Sequence, residues 1–144
     1  DIVKVLVEAG ANTRQTNTHG SATIHYAANS GNTNIVAWLM VLGAPVDSRD
    51  MEGSTPLHWT AKNGLTPMVK YLLGCGADKN AKNKNQVTPI HFAVFQDELS
   101  VVTALAEAGA DVNAKMKGGY TPLAIAKKGK FKTIEDYLRT KGAK

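Results

Sequence analysis

Residues 54–60 read STPLHWT, residues 87–93 read VTPIHFA and residues 120–126 read YTPLAIA, three variants of one phrase at a constant step of 33. The same step superposes Gly20, Gly53 and Gly119, then Leu39, Leu72, Leu105 and Leu138, and then the Gly-Ala pairs that begin at Gly43, Gly76, Gly109 and Gly142. Gly10-Ala11 belongs to the same series. A fixed period of about 20 to 50 residues restricts a chain to repeat architectures, because a unit that short cannot enclose a core and must stack on its neighbours. The period divides one domain, 1–144, into a partial unit 1–16, full units 17–49, 50–82 and 83–115, and a shortened capping unit 116–144, with no low-complexity linker between them.

Unit 50–82 shows what each repeat should fold into. Thr55-Pro56 reads as a helix start, with a hydroxyl at the cap and a proline where no N–H donor is needed. That helix should run through Leu57, His58, Trp59 and Ala61 and stop near Gly64, whose lack of a Cβ suits a left-handed closing residue. Thr66-Pro67 reads as a second start, and Met68, Val69, Leu72 and Leu73 recur at the spacings of three and four that mark an amphipathic helix. Gly74 and Gly76 should end it, and the polar run ADKNAKNKNQ should form an extended loop or hairpin. Helices of two or three turns are marginal alone in water, so the small Ala27, Ala28, Ala61, Ala93 and Ala126 are expected to let neighbouring helices approach closely. The fold class is therefore all-α, a solenoid of stacked helix-turn-helix units with projecting hairpin or loop tips.

A 33-residue unit carrying Gly-Ser-Thr-Pro-Leu-His at 53–58, Thr-Pro-Ile-His at 88–91, Gly-Ala-Asp-Lys-Asn-Ala at 76–81 and Gly-Ala-Asp-Val-Asn-Ala at 109–114 resembles the ankyrin repeat. The resemblance covers the whole chain. It implies a slightly curved stack whose hairpin tips and first helices form a concave, protein-binding face. It also implies that the repeated histidine fixes its turn by hydrogen bonds to Thr55 or Thr88 and to backbone groups, some of them in the next unit. Several positions depart from the pattern. Ala22-Thr23-Ile24-His25 lacks the proline, so its helix should begin less firmly. Gln86 replaces a glycine, and Asp97 stands where Gly31 and Gly64 stand, so the inner helix of that unit should end differently. Ala124 replaces the histidine, and Gly129 falls one position early.

Three histidines at regular intervals, His25, His58 and His91, raise the question of metal or catalysis. Packed helices lie about 8 to 10 Å apart, whereas the nitrogens around one zinc ion lie within about 4 Å of each other. The three cannot share an ion, and no nucleophile or orienting group accompanies each copy. Neither metal nor cofactor is expected. No phosphate-cradling glycine loop or nucleophile elbow is present, so an enzyme is expected only if catalysis lies on another domain. Cys75 sits between two glycines with no adjacent basic residue to activate it, which favours packing over reactivity.

Recognition is expected where the regular frame carries irregular side chains. The tip positions hold Thr18, His19 and Ser21, then Met51, Glu52 and Ser54, then Lys84, Asn85 and Val87, then Lys117, Gly118 and Tyr120. On the inner helix, the position after the histidine holds Tyr26, Trp59, Phe92 and Ile125, with Lys62 and Phe95 further along. Aromatic residues at helical spacing are more often core, but aromatic anchors in a groove are frequent binding hot spots. The candidate protein-binding set is His19, Ser21, Tyr26, Met51, Glu52, Trp59, Lys62, Lys84, Asn85, Phe92, Phe95, Lys117 and Tyr120.

The net charge of +5 resides mainly in one place: residues 116–144 carry eight basic groups against two acidic ones. Lys127, Lys128, Lys130 and Lys132 are either a solvated outer face or a surface for nucleic acid or another polyanion. The reading is a monomeric, non-catalytic module for a protein partner, with the basic adaptor or a targeting arm of a larger enzyme as alternatives. No run approaches the eighteen apolar residues of a membrane span. The single cysteine favours a reducing compartment, the cytoplasm or the nucleus. Asp1 aligns with the start of a second helix, so Ile2, Val3 and Leu6 are expected to lack a covering helix, which implies that residues precede Asp1 in the parent protein.

Overall fold

The computed structural model describes Val5, Gly10, Asn12 and residues 14–144; the expectation about Ile2, Val3 and Leu6 lies outside the described residues. Within residues 14–144 the helices come in four pairs: α1 (Thr23–Asn29) with α2 (Thr33–Val41), α3 (Pro56–Lys62) with α4 (Thr66–Gly74), α5 (Pro89–Phe95) with α6 (Leu99–Glu107), and α7 (Pro122–Gly129) with α8 (Lys132–Thr140). The first members start at 23, 56, 89 and 122, the period read from the sequence. At seven to nine residues these helices fall below the roughly 12 to 15 that an isolated helix needs. Their stability comes from the stack. Helices α1, α3, α5 and α7 pack in series to form the inner layer, and α4, α6 and α8 do the same in the outer layer.

The core runs continuously between the layers. Ile24, Leu57, Ile90 and Leu123 enter it from the inner helices, and Leu39, Leu72, Leu105 and Leu138 from the outer ones. Ala28, Ala61, Ala93 and Ala126 are buried on the inner helices, at repeat positions that also hold the buried Thr60 and Val94. Each buried leucine or isoleucine is worth about 1.5 to 3 kcal/mol. Among the described residues no strand forms; Thr16 and Ala22 make an isolated antiparallel bridge.

Two local expectations need correction. Thr66 is not the cap of α4: Leu65 caps it, and Thr66 and Pro67 are its first two residues. The Thr66 N–H bonds the Gly64 carbonyl at 2.9 Å, a tight turn that brings the chain into α4 one residue before the Thr-Pro pattern suggests. Nor does α5 end differently. Asp97 adopts φ 57°, close to the 68° of Gly64, and Glu98 N–H closes on Ala93 O at 2.9 Å just as Leu65 N–H closes on Thr60 O at 3.0 Å. Aspartate tolerates the left-handed region better than most residues, and the closing bond outweighs its cost.

The last pair follows the same rule by another route. Lys130 takes the left-handed turn at φ 60°, and Gly129 stays inside α7. Its missing side chain leaves room for Phe131, whose ring would overlap a Cβ placed there. Helix α1 keeps the register of its counterparts without a proline, beginning directly after Ala22.

Candidate functional site

The repeated histidines are structural ties. The Nδ1 of His58 accepts the Thr55 backbone N–H at 3.0 Å and lies 2.9 Å from Thr55 Oγ1, while Nε2 lies 2.9 Å from the carbonyl oxygen of Val87 in the next unit. An N–H can only donate and a carbonyl can only accept, so the proton sits on Nε2 and the ring is neutral. His25 repeats the pattern with Ala22 N–H and Ser54 O, and His91 with Thr88 N–H, Ala114 O and Tyr120 O. Burial pushes the His58 and His91 imidazoles below their ordinary value, since little water remains to solvate a charge. Rings whose two nitrogens are both engaged have no lone pair left for a metal or a substrate. Among the described residues no group of three histidine, cysteine, aspartate or glutamate side chains is arranged to hold an ion.

The tips are shaped by residues that the motif reading passed over. Asp50 Oδ1 accepts the backbone N–H groups of Glu52 and Ser54 at 3.0 and 2.8 Å, which folds the loop back on itself. Asn17 does the same for His19 and Ser21, and Asn83 for Asn85 and Val87. The signal was present as Asn17, Asp50 and Asn83 at the first position of successive units. Each tip then bonds to the one before it: Met51 N–H to His19 O, Lys84 N–H to Glu52 O, and Lys117 N–H to Asn85 O, all at 2.9 Å. Backbone groups of the predicted tip residues therefore join the tips in a chain, and the side chains of His19, Met51, Glu52, Lys84, Asn85 and Lys117 remain exposed.

Ser21 is less accessible than its place at a tip suggests. It is only 4% exposed, and Ser54 and Val87 at the equivalent positions are likewise buried. The fifth position faces the preceding inner helix, where the carbonyls of Ser54, Val87 and Tyr120 receive the histidine bonds. Of that column only Tyr120, at 45%, presents its side chain to solvent.

The inner-helix aromatics meet the tips. Trp59 Nε1 donates to Asp50 Oδ2 at 2.9 Å, and Asn17 Nδ2 donates to the Tyr26 hydroxyl at 2.7 Å. Tyr26 and Trp59 stand edge to face with centroids 5.5 Å apart, and Phe92 sits edge-on to His58 at 5.9 Å. Lys62 Nζ lies 6.0 Å from the Phe92 ring centre. Trp59 and Phe92 are partly buried, whereas Tyr26 is 50% and Met51 56% exposed. These side chains line adjoining grooves of about 350 to 420 Å³, one between Tyr26, Met51 and Trp59 and one between Glu52, Trp59, Lys62, Asn85 and Phe92. A third groove of about 420 Å³ lies over the last two pairs, lined by Phe95, Met116, Tyr120, Ile125, Lys128, Gly129 and Phe131. The predicted binding residues thus lie along one inner-helix and tip face, with Ser21 at the wall of the groove between Tyr26, Met51 and Trp59.

The lysine run does not form one patch. Lys128 Nζ lies 5.5 Å above the Tyr120 ring, Lys132 pairs with Asp136 at 2.8 Å on α8, and Lys127 acts on Glu135, which itself bonds Arg139. Helical geometry turns successive residues by about 100°, so closely spaced lysines point different ways.

Stacked helix pairs joined by tight loops, with a histidine tie between each pair and the next, define a repeat-protein scaffold. The family model described as ankyrin repeats, in three copies, matches residues 1–83 and again residues 58–144. The chain belongs to the ankyrin-repeat family, whose members generally mediate protein–protein interaction. Comparison with curated proteins finds no match. Among the described residues no helix is long and apolar enough to cross a membrane.

Proposed function

We propose that the protein is a non-catalytic scaffold that binds a protein partner through its tips and inner-helix face. The supporting observation is the exposure of Tyr26, Met51, Phe95 and Tyr120 along one face of a frame whose other large apolar side chains are mostly withdrawn into the core. Apolar surface held in water on a rigid support is a means of recognition, because a partner that covers it releases that water without having to order the scaffold. His19, Glu52, Lys84, Asn85 and Lys117 would supply polar specificity at the rim, and Trp59, Lys62 and Phe92 the centre. The lone cysteine is consistent with work as a monomer in the cytoplasm or nucleus.

The experiment compares proteins recovered by wild type and by a Trp59/Phe92/Tyr120 triple-alanine variant of matched helicity. A partner set retained by wild type and lost from the variant supports this face. Equal recovery by both removes it.

A further inference from the structure

We propose that the groove over the last two helix pairs anchors an acidic peptide segment through one aliphatic or aromatic side chain inserted between Phe95, Tyr120 and Phe131. This inference rests on the protein-binding reading above and specifies the chemistry of the partner.

The grooves differ because unit positions one and ten change character along the stack. Asn17 pairs with Tyr26 and Asp50 with Trp59 through hydrogen bonds. In the last unit these positions are Met116 and Ile125, both lining the groove, so its floor carries no polar partner. Position thirteen is Asn29, Lys62 and Lys128 in the other units and Phe95 in the third, where the ring is 43% exposed. A volume of about 420 Å³ falls within the range of small-ligand pockets, ample for one large side chain.

Charge selects the flanks of that side chain. The other two central grooves are both lined by Asp50 and Glu52, with Lys62 offsetting only one of these charges in one of them, whereas no carboxylate lines this one. Lys128 stands at its rim, and the tips of the last two units carry Lys84 and Lys117. The nearby acids on α8 are engaged, Glu135 with Arg139 and Asp136 with Lys132. A segment with carboxylates beside its anchor therefore meets uncompensated positive charge here and repulsion at the neighbouring grooves. An apolar floor favours a side chain over a nucleic acid base, whose polar edge would be buried without a donor or acceptor.

The test uses a library of fluorescein-labelled peptides in which one leucine, methionine or phenylalanine is flanked by glutamates or by lysines, with alanine-centred controls. Fluorescence anisotropy should select acidic peptides with an apolar centre. Binding should weaken about tenfold in Lys128→Glu and in Tyr120→Ala, and fall with added salt, with Val41→Ala on an outer helix without effect. Thermal unfolding of each variant checks that it folds, and the exposed Lys128→Glu keeps the test available should Tyr120→Ala unfold. Selection of lysine-flanked peptides, or indifference to both variants, overturns the proposal. Binders that depend on Tyr26 and Trp59 instead would overturn this site and leave the broader face standing. A single-stranded oligonucleotide that outcompetes every acidic peptide overturns it in favour of a polyanion surface.

Discussion

The imidazole of His58 donates from Nε2 to the carbonyl oxygen of Val87 at 2.9 Å, joining the first helix of one pair to the loop that leads into the next. Its other nitrogen holds Thr55 at the start of its own helix. One side chain thus fixes a helix start and the contact between units, which explains its recurrence at His25 and His91. His58→Ala would leave a buried N–H and a buried carbonyl without partners, each costing about 1 to 3 kcal/mol. We expect a loss of about 3 kcal/mol in urea denaturation; a loss below about 0.5 kcal/mol would show that the tie is dispensable.

The same rings set a pH dependence. His58 and His91 titrate below 6.5 when folded, chiefly through desolvation, so the unfolded chain takes up protons first as pH falls. The stability they contribute is complete above 6.5 and declines as pH drops through that value towards their folded one. The slope cannot exceed about 1.4 kcal/mol per pH unit for each ring. Urea midpoints followed from about pH 7.5 to pH 5.5, above the carboxylate range, should show this decline. A flat profile there would contradict neutral, buried rings.

Gln86 occupies the left-handed position held by Gly20 and Gly53, at φ 59°. A side chain costs about 1 kcal/mol in that conformation, partly offset by the freedom glycine loses on folding. Gln86→Gly should therefore stabilise the protein by about 0.5 kcal/mol. The converse, Gly53→Ala, should cost about 1 to 2 kcal/mol, because the new Cβ would also lie 3.3 Å from Lys84 N. Denaturant midpoints that move in the same direction for both would refute the argument.

Gly129→Ala places a methyl group where the Phe131 ring sits, against a gain of helix propensity of about 1 kcal/mol. Overpacking should win, for a net loss of about 1 to 2 kcal/mol. In a Phe131→Ala background the substitution should become neutral or favourable. A double-mutant cycle without coupling would mean that the ring moves aside freely.

Asp50 serves the Glu52 and Ser54 backbone with one oxygen and Trp59 with the other. Asp50→Ala should cost about 2 kcal/mol and release the indole, while Asp50→Asn, which keeps an acceptor for the loop, should cost less. In a Trp38→Phe background, Trp59 fluorescence anisotropy falling in both variants would confirm that the carboxylate orients the ring, since the amide nitrogen of asparagine cannot accept the indole N–H. Equal anisotropy in all three proteins would count against it.

Much of the fold was legible because repetition multiplies weak signals. One Thr-Pro is a modest indication of a helix start, whereas Thr55-Pro56, Thr88-Pro89 and Thr121-Pro122 in register set the whole array. The misreadings were local. Thr66-Pro67 looks like Thr55-Pro56, but a turn at Gly64 already carries the chain into α4, so the threonine falls inside the helix. Asp97 departs from glycine, yet a closing hydrogen bond holds it in a conformation its side chain alone would disfavour.

The sequence by itself determined the architecture: the 33-residue period, the apolar spacing and the turn residues are local features, and packing only had to agree with them. Which side of each unit meets solvent was decided by tertiary structure. Ser21, Ser54, Val87 and Tyr120 occupy one repeat position, yet three are buried and one is exposed. That difference depends on how large each side chain is and on what the neighbouring unit places opposite it. The apolar groove of the last pairs arose in the same way, from Phe95, Tyr120 and Phe131, residues of two different units brought together only by stacking.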